Sequence, residues 1–323
     1  MIILTGAAGF IGSCMLSRLN ALGLGKDTVI VDDFYKQYKD NNTDNKQVRE
    51  WVHRDIFLDW FEKTTQHIDV VIHLGARTDT TLMDTDVFDT LNVHYTKRIW
   101  NVCASRNIPL IYASSAATYG DGSLGFSDDH SKVQAFRPLN PYAISKQNID
   151  VWILEQDIKP DKWIGCKFFN VYGPNEYHKG RMASVVFHAY KQIAKTGKMN
   201  LFKSHKKGIH DGEQKRDFIY INDVLDILEH MINSKDIESG IYNVGTGKAR
   251  TFLDLTQAVF KAKDLQPNIE FIDTPIDIRD SYQYFTEAEM QKLRKSGFTS
   301  KFTSLEDGVD TYVRQYLRKS KYF

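Results

Sequence analysis

Thr5-Gly6-Ala7-Ala8-Gly9-Phe10-Ile11-Gly12 is the stretch whose reading decides the fold. The apolar run Met1 to Leu4 precedes it, and Met15, Leu16, Leu19 and Leu22 follow at helical spacing. The order is therefore strand, glycine turn, helix. Glycines let backbone approach a pyrophosphate, and the N-terminus of the following helix stabilises its charge. The spacing is Gly-x-x-Gly-x-x-Gly, and Gly6, Gly9, Phe10, Ile11 and Gly12 become the first candidate dinucleotide contacts.

Outward from this turn, Thr28 to Val31 forms a second strand ending in Asp32-Asp33, and Asp32 lies 20 residues beyond Gly12. An acid there can bind the adenosine ribose hydroxyls, which favours NAD. Lys39 nearby can instead meet a 2′-phosphate, which favours NADP, and both readings stay open. Asp55 and Ile56 follow another strand and can lie against adenine; Lys63 joins the cofactor candidates. Val70 to Ala76 is a buried-strand run whose end, Leu74, Gly75 and Ala76, followed by Arg77 and Thr78, suits close approach to a ligand. Asn92 sits in a helical pattern with Val93, Ile99 and Val102. Leu110 to Ala113 is a further strand, ending in Ser114-Ser115-Ala116-Ala117-Thr118-Tyr119-Gly120. Repeated strand-helix alternation predicts an α/β fold, a Rossmann-type doubly wound parallel sheet. Hydroxyls at a strand's C-terminal end would then lie on its ligand-binding edge.

Asn140-Pro141-Tyr142-Ala143-Ile144-Ser145-Lys146 reads as a helix entry, because proline suits the first turn. Four residues separate Tyr142 from Lys146, which puts both on one helix face. An ammonium beside a phenol favours the phenolate and lowers a pKa otherwise near ~10. Such a pair can carry a proton near neutral pH. Tyr-x-x-x-Lys also arises by chance on surface helices; its company with the glycine turn and the strand-end serines gives it meaning.

Composition bounds the function. The chain has 323 residues, 42% hydrophobic and 26% charged, with formal charge +1. That charge gives no global field for nucleic acid or membrane. Cys14, Cys103 and Cys166 are widely spaced and odd in number, which suits free thiols in a reducing compartment and no zinc site. His73, His94 and His188 form no metal-ligand spacing. With no basic leader and no long apolar run, the expectation is a cytoplasmic protein without a membrane span.

With these motifs in sequence, the chain resembles the extended short-chain dehydrogenase/reductases. Tyr112 to Gly120, Phe169 to Ser184, Lys215 to Tyr220, Tyr242 to Gly247 and the Tyr282-Gln283 and Phe285-Thr286 pairs more narrowly resemble the ADP-glycero-manno-heptose 6-epimerase family, nearly end to end. The resemblance implies Tyr142 as acid/base, Lys146 on the nicotinamide ribose and Ser115 on the reacting oxygen. It implies Lys179 as a second acid/base, with Val171 and Lys179 also beside the cofactor. Asn170, Arg181, His188, Leu201, Phe202, Lys203, Arg216 and Tyr282 are the implied substrate contacts. The implied cofactor is NADP, with NAD the alternative; the implied substrate is ADP-heptose, a precursor of lipopolysaccharide inner core, and the implied assembly a homopentamer. A dinucleotide-binding domain is expected over 1–167 and a substrate domain over 168–323, with a segment near 217–246 returning to the first.

Three positions depart from that family's pattern. Asp33 stands where an asparagine is common, Arg77 where a small residue is usual, and Arg181 where a small hydroxyl residue is usual. The loop from Lys203 to Gln214 is also longer. Competing readings are another nucleotide-sugar epimerase, such as a hexose 4-epimerase, and a non-catalytic NAD(P)-binding sensor. A 4,6-dehydratase is disfavoured, because its Asp-Glu pair falls on Ala116 and Ala117 here, leaving elimination without its acid and base.

Overall fold

In the computed structural model, which describes residues 1–279 and 282–323, the strands run in the order β1 (Ile2–Thr5), β2 (Thr28–Asp32), β3 (Glu50–His53), β4 (Val70–His73), β5 (Leu110–Ser115), β6 (Trp163–Phe168), β7 (Asn170–Tyr172), β8 (Met199–Phe202), β9 (Lys215–Tyr220), β10 (Gly240–Val244), β11 (Ala249–Thr251) and β12 (Ile269–Ile272). The α-helices are α1 (Phe10–Ala21), α2 (Gln37–Asp40), α3 (Arg54–Lys63), α4 (Thr85–Phe88), α5 (Tyr95–Ser105), α6 (Pro141–Glu155), α7 (Val185–Thr196), α8 (Ile221–Asn233), α9 (Phe252–Ala262), α10 (Ile276–Arg279), α11 (Gln291–Lys295) and α12 (Leu305–Thr311).

Seven strands form one sheet in the order β10-β6-β5-β4-β1-β2-β3, and every neighbouring pair is parallel. A parallel sheet must be covered on both faces, and the side chains of β1 show that it is. Ile2 and Leu4 join one hydrophobic core, with Ile30, Ile72 and Ile111; Ile3 joins the other, with Val29, Val71 and Leu110. α1 and α8 bury their apolar stripes in the first core, and α3 and α5 bury theirs in the second. The order reverses between β1 and β4, which opens a crevice at their C-terminal ends. Thr5 and His73 stand side by side there, and their Oγ1 and Nδ1 atoms are 2.6 Å apart.

The chain leaves the large sheet at Phe168 and enters a three-stranded one, β11-β9-β7, at Asn170. It comes back through α8 to β10, which pairs with β6. A separate two-stranded sheet pairs β12 with β8. Residues on β7 to β9 therefore lie outside the large sheet, and β7 begins just past the C-terminal end of β6. No helix among the described residues is long and apolar enough to cross a membrane.

Candidate active site

The glycine turn is built for close approach. Gly6 has φ +70, and a Cβ there would stand 2.6 Å from the Gly75 nitrogen. A Cβ at Gly12 would collide with the Gly6 carbonyl. α1 starts at Phe10 with no side-chain cap, so its first amides keep their hydrogen-bonding capacity for a ligand. The residues present thus fit a dinucleotide pyrophosphate. Leu74, Gly75 and Ala76 lie half-buried beside it at the end of β4, while Arg77 and Thr78 are exposed.

At the adenosine corner, the Asp32 carboxylate accepts from the Ala8 amide at 2.9 Å, the Asp33 amide at 2.7 Å and the Lys39 ammonium at 2.9 Å. Asp33 has two cations beside it, Arg54 at 3.1 Å and Lys36 at 3.8 Å, and the His53 ring at 3.4 Å. Arg54 Nε is buried and has no hydrogen-bond acceptor among the described residues. Sequence reasoning missed Arg54. Its signal was a basic residue directly after the third strand, at the start of a helix. Lys63 occupies the opposite, exposed end of that same helix, about 14 Å further along its axis, and is not brought to this corner. Asp55 and Ile56 sit in the first turn of α3, both largely exposed.

Asn92 is fully buried in a helical bulge over Asp89–His94. It clamps Arg77 through both backbone groups, at 2.8 and 3.0 Å, and donates to Ser145 at 2.9 Å. Its role is thus to join the β4 loop to α6. His73 is held neutral, because burial lowers its pKa to about 3.

Asn140 caps α6 by accepting from the Ala143 amide at 2.9 Å, with Pro141 in the first turn as the sequence predicts. Tyr142 is half-buried and faces Ser115 at the end of β5. Lys146 is 2% exposed and donates to the Ala113 carbonyl at 2.7 Å. Burial pulls its pKa down to about 8, with Asp150 opposing. The phenol differs from the sequence expectation. Burial raises its pKa, the Ser115 hydroxyl works against that rise, and Asp150 adds to it. The ammonium of Lys146 is directed at Ala113, so it does not bring the phenolate within easy reach.

Lys179 lies in a turn over Tyr177–Met182 and holds its ammonium 5.4 Å from the centre of the Phe10 ring. Burial lowers its pKa and Glu176 opposes that. Next to it, His178 is kept neutral, its pKa lowered to about 4 by burial first and by Lys39 and Lys179 next. His178 Nδ1 meets the Asn42 carboxamide at 3.1 Å, which also donates to the Ala8 carbonyl at 3.0 Å. Asn42, another residue that sequence reasoning missed, thereby ties the Lys179 turn to the glycine turn. Val171 is half-buried and Asn170 exposed on β7.

Two of the departures converge. Arg181 reaches Asp79 at 3.1 Å and Arg77 reaches the same carboxylate at 3.9 Å. His188 on α7 meets the Arg181 carbonyl at 3.2 Å. On β9, Arg216 stacks between Phe252 and Tyr282, each ring centre 5.5 Å away. Its guanidinium is buried and hydrogen-bonds the Lys215 carbonyl, with no carboxylate partner among the described residues. Phe202 packs edge-on against Tyr282, with Leu201 buried and Lys203 half-buried beside it on and after β8. A cavity of about 380 Å³ opens between Tyr282, Tyr284 and Phe285 and the turn at Asp121–Ser123. No cluster of His, Cys, Asp and Glu suited to a metal occurs among the described residues.

A glycine turn at a sheet switch point, with a strand-end serine and a Tyr-x-x-x-Lys helix on the same edge, defines a nicotinamide-dinucleotide enzyme of the extended short-chain dehydrogenase/reductase class. Residues 2–245 match the NAD dependent epimerase/dehydratase family, and the chain belongs to that family. An ADP-L-glycero-D-manno-heptose-6-epimerase from Fusobacterium nucleatum is 48% identical over 329 residues, covering 99% of this chain and 98% of that protein. The protein of the same description from Nitratidesulfovibrio vulgaris is 47% identical and covers 98% of each chain. The crystal structure of the Helicobacter pylori ADP-L-glycero-D-manno-heptose-6-epimerase superposes with a TM-score of 0.81 at 26% identity, over 97% of this chain and 95% of that one.

Proposed function

We propose that this protein is an ADP-L-glycero-D-manno-heptose 6-epimerase, interconverting the D-glycero and L-glycero forms of ADP-β-D-manno-heptose for lipopolysaccharide core synthesis in the cytoplasm. The observation that carries the reading is Ser115, Tyr142 and Lys146 gathered on the edge that holds the glycine turn, in a chain 48% identical to a relative of that name.

A bound nicotinamide dinucleotide would supply the hydride acceptor and donor. Tyr142, acting as the phenolate, removes the proton of the C6″ hydroxyl as the alcohol is oxidised with its oxygen in the first of two positions. Ser115 orients the reacting oxygen, and Lys146 holds the nicotinamide ribose. Inversion requires the sugar to offer both faces, so the oxygen takes two positions; Lys179 serves the second. Its lowered pKa suits a base, and its place over Phe10 also suits a phosphate contact, so kinetics must separate the two.

Arg216 binds the diphosphate, since its buried fork of donors has a single backbone partner among the described residues. Tyr282, Phe202 and the adjoining cavity receive the nucleoside end. For the cofactor we favour NADP: Lys36, Lys39 and Arg54 offset Asp32 and Asp33, so the corner is not a bare acidic patch. Mass spectrometry of dinucleotide released from the purified protein tests this; finding only NAD, with full activity of NAD-reconstituted enzyme, overturns it. A homopentamer is the proposed assembly, checked by sedimentation.

Incubation with ADP-D-glycero-β-D-manno-heptose, followed by proton NMR at C6″, tests the function. Equilibration of the two epimers is the expected result. Arg77 and Arg181 converging on Asp79 favour the second reading, a different nucleotide-sugar epimerase, and no C6″ inversion with turnover of another nucleotide sugar would establish it.

A further inference from the structure

On α6, Tyr142, Lys146 and Asp150 follow at four-residue intervals and share one face. Three consecutive residues of β5 meet them. The Ala113 carbonyl takes the Lys146 ammonium at 2.7 Å, the Ser114 hydroxyl donates to Asp150 at 2.6 Å, and Ser115 acts on the Tyr142 phenol. Asp150 also accepts from the Tyr112 hydroxyl at 3.0 Å and from the Lys167 ammonium, on β6, at 2.6 Å. Lys167 donates in turn to Thr118 at 2.6 Å, in the turn that Ser115 begins.

Both charges are 0% exposed. A buried ion pair contributes little net stability over apolar residues of the same volume, because desolvation offsets its attraction. Its retention here calls for another use, and the groups it joins supply one.

We propose, resting on the roles given above to Tyr142 and Lys146, that Asp150 with Lys167 as counter-ion is a positioning residue of the active site. It fixes β5 against α6 so that Ser115 faces Tyr142, and its charge holds Lys146 in the ammonium form.

The other titratable groups around Lys146 leave this task to Asp150. His73 on β4 is neutral, and burial holds the Tyr112 hydroxyl on β5, the Cys166 thiol on β6 and the Tyr119 hydroxyl in the following turn protonated. His130, in the segment packed on α6, is lowered to about 4 by burial, while Asp86, Asp89, Asp129 and Lys132 are exposed to solvent. Asp150 is the anion that acts on Lys146, whose pKa of about 8 places an alkaline limb within reach of assay.

The test is the pH dependence of kcat/KM for the dinucleotide-loaded enzyme. Asp150→Asn should move the alkaline limb acidward by about one unit, and each unit below the assay pH costs about tenfold in kcat/KM. Tyr112→Phe removes a bond to the same carboxylate and keeps its charge; it should lower the melting temperature and leave the limb in place. If Asp150→Asn fails to fold, the double variant Asp150→Asn/Lys167→Met leaves no lone buried charge, and its limb should move in the same direction. An unmoved limb in whichever variant folds overturns the proposal. Tyr142→Phe is assayed alongside: near-native turnover there removes the underlying roles, whereas an inactive Tyr142→Phe with an unmoved limb removes only the role of Asp150.

Discussion

Lys146 and Lys179 are both amines whose pKa burial lowers, and the molecule holds them by opposite means. Lys146 projects from the middle of a capped helix onto a strand carbonyl, with Asp150 one turn behind it. Lys179 projects from an irregular turn over an aromatic ring, followed by Gly180 at φ +53, a conformation that side chains with a Cβ rarely adopt. Regular elements give the first lysine one position. The second is placed by the loop's own contacts, through Asn42, His178 and Glu176. A reaction that presents one oxygen in two positions has use for one fixed partner and one adjustable partner.

The strongest blow to this contrast falls on the fixed side. Tyr142→Phe removes only the phenolic oxygen, and turnover should drop ~10²–10⁴-fold while the fold and bound dinucleotide remain. Near-native turnover in the purified variant would end the assignment of the β5–α6 side as the chemical one.

Lys179→Met tests the adjustable side. We expect kcat to fall roughly 10²-fold with substrate affinity within a few-fold of native, and turnover of C6″-deuterated substrate to slow further as chemistry becomes limiting. A raised dissociation constant with normal turnover at saturation would instead make Lys179 a phosphate contact of the glycine turn, consistent with its place over Phe10.

The same contrast explains what the sequence made legible. Strand, glycine turn and helix are local and periodic, so the doubly wound sheet follows from residues close in the chain. Tyr142 and Lys146 are a helix turn apart, and their shared face was equally readable. Asp150 continues that spacing, and Lys167 is a lone charge in the buried strand Trp163–Phe168; both signals were present, but the pairing depends on β5 and β6 lying side by side. The lowered phenol pKa expected from the Tyr142–Lys146 spacing did not follow: burial raises it, and the Lys146 ammonium hydrogen-bonds the Ala113 carbonyl. Asn42 and His178 gain meaning only once the α2 region meets the Tyr177–Met182 turn, a contact between residues over a hundred positions apart, and Arg54 only once β3 lies beside β2 and brings it to Asp33.

The smallest expected effect separates the two sides most cleanly, because it uses two cuts of the same kind. Asn140 caps α6 on the fixed side, and Ser184 caps α7 just after the Lys179 turn, accepting from the Phe187 amide at 3.3 Å. Replacing either by alanine should cost about 1 kcal/mol of stability, read from thermal or urea unfolding. Their kinetic consequences should differ. The Asn140 side chain hydrogen-bonds the Ala143 amide, and α6 is held along its length by Asp150 and Lys146, so Asn140→Ala should leave kcat within about twofold. The Ser184 hydroxyl also donates to Glu176 at 2.6 Å, and Glu176 is the fully buried carboxylate that supports the charge on Lys179. Without that hydroxyl the carboxylate keeps the Ser184 amide as a donor, but its ionised form is less well stabilised, and its support of the Lys179 ammonium weakens. Ser184→Ala should therefore lower kcat about threefold to tenfold at neutral pH and shift the pH dependence attributed to Lys179. Equal losses of stability with equal, small changes in kcat would show that the Lys179 turn is as rigid as α6, and the distinction between a fixed and an adjustable lysine would fall.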